Sequence, residues 1–137
     1  MRIAFACDDT NECVDAVRKF IESQHELVAV TGSTTWPSMS RDVAQAVAGG
    51  DCDVGVLMCW TGTGTAIAAN KVRGVRAATV FDAWTAKHAR LWNDANVVAL
   101  SLKRLAPDVA VECVQAFLAE EAPDPDEVDT IRALRDV

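Results

Sequence analysis

Short apolar runs alternate along the chain with stretches whose apolar residues recur every three or four positions. Ile3 to Cys7 is such a run and ends at the polar pair Asp8-Asp9, the pattern of a buried strand. Thr10 or Asn11 can cap a helix behind it, with Val14, Val17, Phe20 and Ile21 on one face. Leu27 to Val30 predicts a second strand, closed by Thr31-Gly32-Ser33. The Ser- and Thr-rich stretch Thr31 to Ser40, containing Trp36-Pro37, predicts a loop. Val43, Ala44, Val47 and Ala48 then make a helix face that stops at Gly49-Gly50. Val54 to Cys59 predicts a third strand, Thr61-Gly62-Thr63-Gly64 a turn, and Ala66 to Val72 a helix. Arg76 to Val80 predicts a fourth strand, and Asp82 caps a helix running to about Trp92. Val97 to Leu100 predicts a fifth strand, and Pro107 suits the first turn of a long helix through Phe117 and Leu118. Pro123 and Pro125 break that helix, and the acidic tail leads into a short helix with Val128, Ile131 and Leu134 on one face. Strand and helix thus alternate five times, which predicts a parallel sheet with helices on both faces and right-handed crossovers.

Composition narrows the function classes. At 137 residues the chain is the size of one domain, and 50% hydrophobic with 24% charged residues is a globular balance. Thirteen basic against twenty acidic side chains give a formal charge of −7, which argues against nucleic acid as a partner. No apolar run approaches the roughly 20 residues of a membrane helix, and the apolar stretch after Arg2 ends too early for a signal peptide. Cys7, Cys13, Cys52, Cys59 and Cys113 are odd in number and none are spaced Cys-x-x-Cys; His25 and His88 are the only histidines. Neither a zinc site nor a disulfide framework fits that inventory. Reduced thiols in a cytoplasmic compartment, mostly acting as small core hydrophobes, do.

In an open parallel sheet, ligands bind at the carboxyl ends of the strands. Cys59-Trp60-Thr61-Gly62-Thr63-Gly64 sits at one such end. Its glycines let backbone N–H groups face an anion, and a cysteine near a helix start can serve as base or nucleophile. The alternative is a tight strand-to-helix turn with an inert cysteine; the motif shape leaves both open. It is neither a dinucleotide fingerprint, since Ile67 stands where the third Gly is needed, nor a Walker loop, since Gly-Lys is missing. Asp8 and Asp9 can bind hydroxyls or a cation, or form an acidic capping turn. Asn93-Asp94-Ala95-Asn96 is a third polar cluster, which a helix-ending turn also explains. Trp36, Trp60, Trp84 and Trp92 all lie in loops or near helix ends. They suit either an aromatic ligand lining or a subunit interface.

The stretch Gly55 to Gly64, running on through Ile67-Ala68-Ala69-Asn70-Lys71 to Ala77, closely resembles the B-type ribose-5-phosphate isomerase and galactose-6-phosphate isomerase family. That family shows Cys-Gly-Thr-Gly-x-Gly followed by Ile-Ala-Ala-Asn-Lys. Arg2-Ile3-Ala4 with Cys7-Asp8, Val47 to Gly50 and Asn93 to Val97 extend the likeness, in order, over residues 1 to about 119. The resemblance implies a Rossmann-like three-layer α/β/α domain with a five-stranded parallel sheet at 1–119. It implies a tail at 120–137 packing on a neighbouring subunit, and a homodimer with shared sites, sometimes paired into a tetramer. It also implies aldose–ketose isomerisation of a small sugar or sugar phosphate through a cis-enediolate, without metal or cofactor. On that likeness Cys59 is the base and Thr61 assists ring opening. Gly62, Thr63 and Gly64 belong to the loop that holds the enediolate oxygen, Asp8 binds sugar hydroxyls, and Asn93 lies near the reacting end. Some relatives carry a glutamate base where Thr65 stands.

The departures bear on substrate. Asp9 replaces a family His that binds phosphate and sugar, Trp92 replaces a His that assists ring opening, and Trp60 replaces a Gly. Trp36-Pro37 replaces Tyr-Pro, and Lys103, with Arg104 beside it, replaces an Arg. Ala122 to Glu127 occupies the place of phosphate-reaching arginines. Each change removes a cation or adds bulk or negative charge, on the order of one kcal/mol or more per charge against a phosphate dianion. Three readings follow. One is an isomerase with a changed or non-phosphorylated substrate. Another is an ordinary phosphosugar isomerase whose anion site is rebuilt from Lys103, Arg104 and Arg132 or Arg135. The third is a non-catalytic binding protein on the same scaffold, with the four tryptophans lining a pocket; for the isomerase, Asp9, Trp60, Trp92 and Lys103 join Asp8, Asn93 and the glycine loop as substrate-binding residues.

Overall fold

Each apolar run becomes a parallel strand because helices cover both of its faces. The computed structural model describes residues 1–30, 32–33 and 35–136, with side chains through residue 134. The Thr31 expected to close the second strand and the side chain of Arg135 therefore lie outside the described residues. The elements are β1 (Arg2–Cys7), α1 (Glu12–Gln24), β2 (Glu26–Ala29), α2 (Trp36–Ala48), β3 (Val54–Cys59), α3 (Thr63–Ala69), β4 (Ala77–Thr79), α4 (Ala83–Asn93), β5 (Val97–Ser101) and α5 (Pro107–Leu118). A tail of two 3-10 turns around α6 (Val128–Arg132) follows.

The five strands are parallel in the order β2-β1-β3-β5-β4. Alternate residues of each strand feed two cores. Ile3, Phe5, Val56, Met58, Val98 and Leu100 pack with α1, α4 and α5. Ala4, Ala6, Leu57, Val97 and Ala99 pack with α2 and α3. The second face is built of smaller side chains, and α2 lies close on it. A Cβ at Gly55 would stand 2.7 Å from Val43 Cγ1. β1 turns to β2 on one side and β3 leads away on the other, so the switch point of the sheet lies between the carboxyl ends of β1 and β3.

Local chemistry explains the element ends. Asn11 caps α1, its Oδ1 accepting from Val14 N–H while its Nδ2 donates to the Leu102 carbonyl. Asp82 caps α4 through Thr85 N–H. Strand ends agree with the sequence expectation to within a residue, and two helices differ by more. The stretch read as loop to Ser40 is helical from Trp36, because Pro37 falls in the first turn, where its missing N–H costs nothing. The helix after the glycine loop starts at Thr63 rather than Ala66 and ends at Ala69, where Asn70 closes a turn through two hydrogen bonds to Ala77. Asp94 ends α4 in a left-handed conformation and pairs with Arg76 at 2.9 Å, while Asn96 binds Arg76 N–H and the Gly74 carbonyl. This polar cluster thus builds the turn into β5.

The tail folds back on α4 of its own chain. Asp124 N–H donates to the Leu91 carbonyl, Arg90 Nε donates to the Glu120 carbonyl, and Ile131 is buried. Val128 and Leu134, expected on the same face as Ile131, remain exposed.

Candidate active site

β3 carries its chemistry to the switch point. Cys59 is its last residue, and Leu102 N–H, from the end of β5, donates to the Cys59 carbonyl. The chain then turns sharply at Gly62, whose φ of +78° lies in the left-handed region. That turn directs Gly62 N–H at Cys59 Sγ, 3.1 Å away. Thr65 is fully buried, with its Oγ1 3.5 Å from Cys59 Sγ and 3.1 Å from the Gly62 carbonyl. Thr79 also donates to that carbonyl, so two hydroxyls from separate elements hold the loop. The sulfur thus accepts one N–H and touches one hydroxyl. Gly62 N–H is thus directed at the sulfur, while Thr63 and Gly64 of the same loop line the cavity. Gly64 is glycine for a local reason: a Cβ there would lie 3.1 Å from the Trp36 ring.

Burial raises the pKa of Cys7, Cys13 and Cys52, and that of Cys113 to about 11. They are neutral fillers of the core at neutral pH.

Asp8, Trp36, Cys59, Trp60, Thr61, Thr63 and Gly64 line one cavity of about 360 Å³. Thr61 and Thr63 share a hydroxyl contact at 2.8 Å on its rim. The two adjacent carboxylates are driven apart. Burial, reinforced by the charge of Asp9, raises the Asp8 pKa. The Trp60 indole N–H, then the Thr10 N–H and more weakly Lys103, lower that of Asp9. Burial and hydrogen bonding thus push the two neighbouring carboxyls in opposite directions.

Trp60 is held from three sides. Its Nε1–H donates to Asp9 Oδ2 at 2.9 Å, Lys103 Nζ lies 4.3 Å from its ring centroid, and Ser101 Oγ donates to its carbonyl. Because Asp9 is depressed in the folded state, this contact is present at neutral pH and is lost only as pH falls through that lowered pKa. The Trp60 indole N–H resonance is expected to hold its position from pH 7 down past the ordinary carboxylate pKa and to move only below it. Movement near pH 4, where unperturbed carboxylates titrate, would show that the indole does not hold Asp9.

Of the residues singled out in the sequence, Asp8, Cys59, Trp60, Thr61, Gly62, Thr63 and Gly64 come together, with Asp9 and Lys103 behind Trp60. Trp92 and Asn93 do not join them in the single chain. α4 rises from the edge strand β4, and both residues line a separate cavity beside it, where His88 stacks 4.2 Å from both Trp84 and Trp92. Two contributors escaped the candidate set. Trp36 carried a signal as one of four loop tryptophans, and Thr65 carried one as a hydroxyl in the first turn after the glycine loop. Among the described residues, no three His, Cys, Asp or Glu converge as a metal site, and no helix is long and apolar enough to cross a membrane.

The parallel α/β sheet thus carries a hydrogen-bonded cysteine over a glycine loop at its switch point. Residues 3–133 match the ribose/galactose isomerase family, and the chain belongs to it. It is 34% identical to ribose-5-phosphate isomerase B of Escherichia coli over 126 residues, covering 88% of this chain and 85% of that protein. It is 40% identical over 86 residues to D-erythrulose-4-phosphate isomerase of Pectobacterium atrosepticum, covering 63% of this chain and 57% of that one. With Bacillus subtilis YwlF the identity is 38%, and the match spans 61% of that protein, under two thirds of its length. The structure of Clostridium thermocellum ribose-5-phosphate isomerase B superposes with a TM-score of 0.91 at 29% identity, over 99% of this chain and 96% of that one.

Proposed function

We propose that the chain interconverts an aldose and a ketose, a small sugar or sugar phosphate, with Cys59 as the base. The observation that carries this reading is the Cys59 sulfur at the cavity wall, 3.1 Å from Gly62 N–H. The thiolate takes the proton from the carbon beside the carbonyl. The released electron pair forms the carbon–carbon double bond, and the carbonyl oxygen becomes the enediolate oxygen. The cysteine thiol returns the proton to C1 while the C2 hydroxyl proton passes to the C1 oxygen, leaving the carbonyl on C2, so no redox partner or cofactor is consumed. Thr61 stands on the rim to assist ring opening, and Asp8 receives sugar hydroxyls.

A second copy completes the site in this reading. Phe81, Trp84 and Trp92 leave an aromatic face on and beside α4 exposed, an arrangement suited to a homodimer interface that brings Trp92 and Asn93 across to a partner's cavity. All five cysteines are free, which suits a cytoplasmic location.

The test is exchange of the C2 proton in D₂O, followed by NMR, with each aldose of four to six carbons offered with and without a terminal phosphate. Exchange with at least one sugar is expected, and the better member of each pair assigns the phosphate question. A folded protein that exchanges none of them overturns the isomerase and leaves sugar binding between Trp36 and Trp60.

A further inference from the structure

We propose that Thr65 is a positioning residue for Cys59, its hydroxyl leaving the Gly62 carbonyl to donate to the sulfur whenever Cys59 is a thiolate. This rests on the reading of Cys59 as the base and adds a group that follows the sulfur's charge. The Gly62 carbonyl has three donors. Ala66 N–H reaches it at 3.3 Å in the first turn of α3, Thr65 Oγ1 donates at 3.1 Å, and Thr79 Oγ1 donates at 3.1 Å from β4. A carbonyl oxygen offers two lone pairs, so one donor is surplus. Ala66 N–H is fixed by the helix, and Thr79 Oγ1 has no other partner among the described residues. Thr65 alone has a second acceptor within reach, the Cys59 sulfur at 3.5 Å. Thr65 is fully buried, so water offers no third.

The two acceptors change rank with the state of the sulfur. A hydrogen bond to an ionised group is roughly twice as strong as one between neutral groups. While Cys59 is a thiol, the hydroxyl donates to the carbonyl and its oxygen is free to accept the S–H. When the sulfur is a thiolate, the hydroxyl turns toward it, and the carbonyl keeps Ala66 N–H and Thr79. Neither state leaves a buried donor or acceptor without a partner, the condition that makes such a rotation cheap. Thr65 keeps its own proton throughout. The proton that Cys59 takes from carbon stays on the sulfur and returns to carbon, and only the Thr65 O–H rotates. Gly62 N–H, 3.1 Å from the sulfur, is a fixed donor on a left-handed turn, so Thr65 is the donor that adjusts. Thr79 lines the cavity beside α4 and not the Cys59 cavity, and it acts only through the shared carbonyl.

Alkylation of Cys59 by iodoacetamide across pH, read by peptide mass, tests this without a sugar. Thr65→Val keeps the side-chain volume and loses the hydroxyl. It is expected to move the alkylation profile up by about 1–2 in pH and to lower C2 exchange about 10–100-fold, the loss of one hydrogen bond to a charged group. Thr65→Ser keeps the hydroxyl and is expected to bring both readings back close to the parent. A packing role would reverse that order, since Val preserves the volume and Ser does not. Thr79→Val leaves the carbonyl two donors and removes the surplus. It is expected to move the profile the same way by less, with exchange down about 2–10-fold. Folded Thr65→Val with the parent's profile, Thr65→Ser displaced as far as Thr65→Val, or Thr79→Val with the parent's profile overturns the proposal. Should Thr65→Val not fold, Thr79→Val decides. If the profiles move as expected while the parent exchanges no sugar, the isomerase reading fails and the Thr65 contact stands.

Discussion

Cys59→Ala is expected to lower C2 proton exchange by about 10²–10⁴-fold, the range a positioned base contributes. Nothing else in the cavity can take over. The lining holds one other ionisable group, Asp8, and the glutamate base of some relatives is replaced by Thr65. The loss is not one of folding. Cys59 is buried and accepts Gly62 N–H, so deleting its sulfur is expected to cost about 1–3 kcal/mol, and circular dichroism and oligomer size are expected to show a folded protein. Cys113→Ala is the informative control. That thiol is fully buried against α5's neighbours and held neutral, with its pKa raised to about 11. Its removal is expected to lower stability while leaving exchange per folded molecule unchanged. NMR in D₂O reads both variants, and exchange surviving in Cys59→Ala would move the base elsewhere.

Gly62→Ala is expected to cost about 2–5 kcal/mol of stability and to reduce exchange as well. A left-handed alanine costs about 1–2 kcal/mol. The new methyl carbon would also stand 3.0 Å from the Leu100 carbonyl carbon and 3.2 Å from Ser101 N, a backbone overlap worth about 1–3 kcal/mol more. Relief requires the loop to lift from β5, which carries Gly62 N–H away from Cys59 Sγ. Gly50→Ala separates the two contributions, because Gly50 has φ +81° with nothing within 4 Å of the added carbon. It is expected to show the conformational cost alone. Urea unfolding of both variants gives the difference. Equal losses at the two glycines would mean that the Gly62 loop is free to shift and does not hold the sulfur.

The aromatic cluster on α4 shows where reading a sequence reaches its limit. Trp84, His88 and Trp92 are four residues apart, so their sharing of a helix face follows from periodicity alone. Which side of the sheet that face meets depends on β5 entering between β3 and β4. No local pattern states that insertion, and it separates Trp92 and Asn93 from Cys59 within one chain. The start of α2 escapes the sequence, which reads it as loop, for a different reason. Trp36-Pro37 suits either a loop or a first helical turn, and packing of Trp36 on Gly64 accompanies the helical choice.

The sequence by itself determined the five strand–helix repeats, the caps at Asn11 and Asp82, and the position of Cys59 and its glycine loop at a strand end. These rest on burial periodicity and on side chains that bind their own neighbouring backbone, interactions that span only a few residues. The tertiary structure alone decided the strand order, the hydroxyl of Thr65 beside the sulfur, and the meeting of Asp9, Trp60 and Lys103. Those three residues come from the ends of β1, β3 and β5, three adjacent strands of the sheet. Only the order in which strands pair brings such distant positions within reach of one hydrogen bond and one ring face.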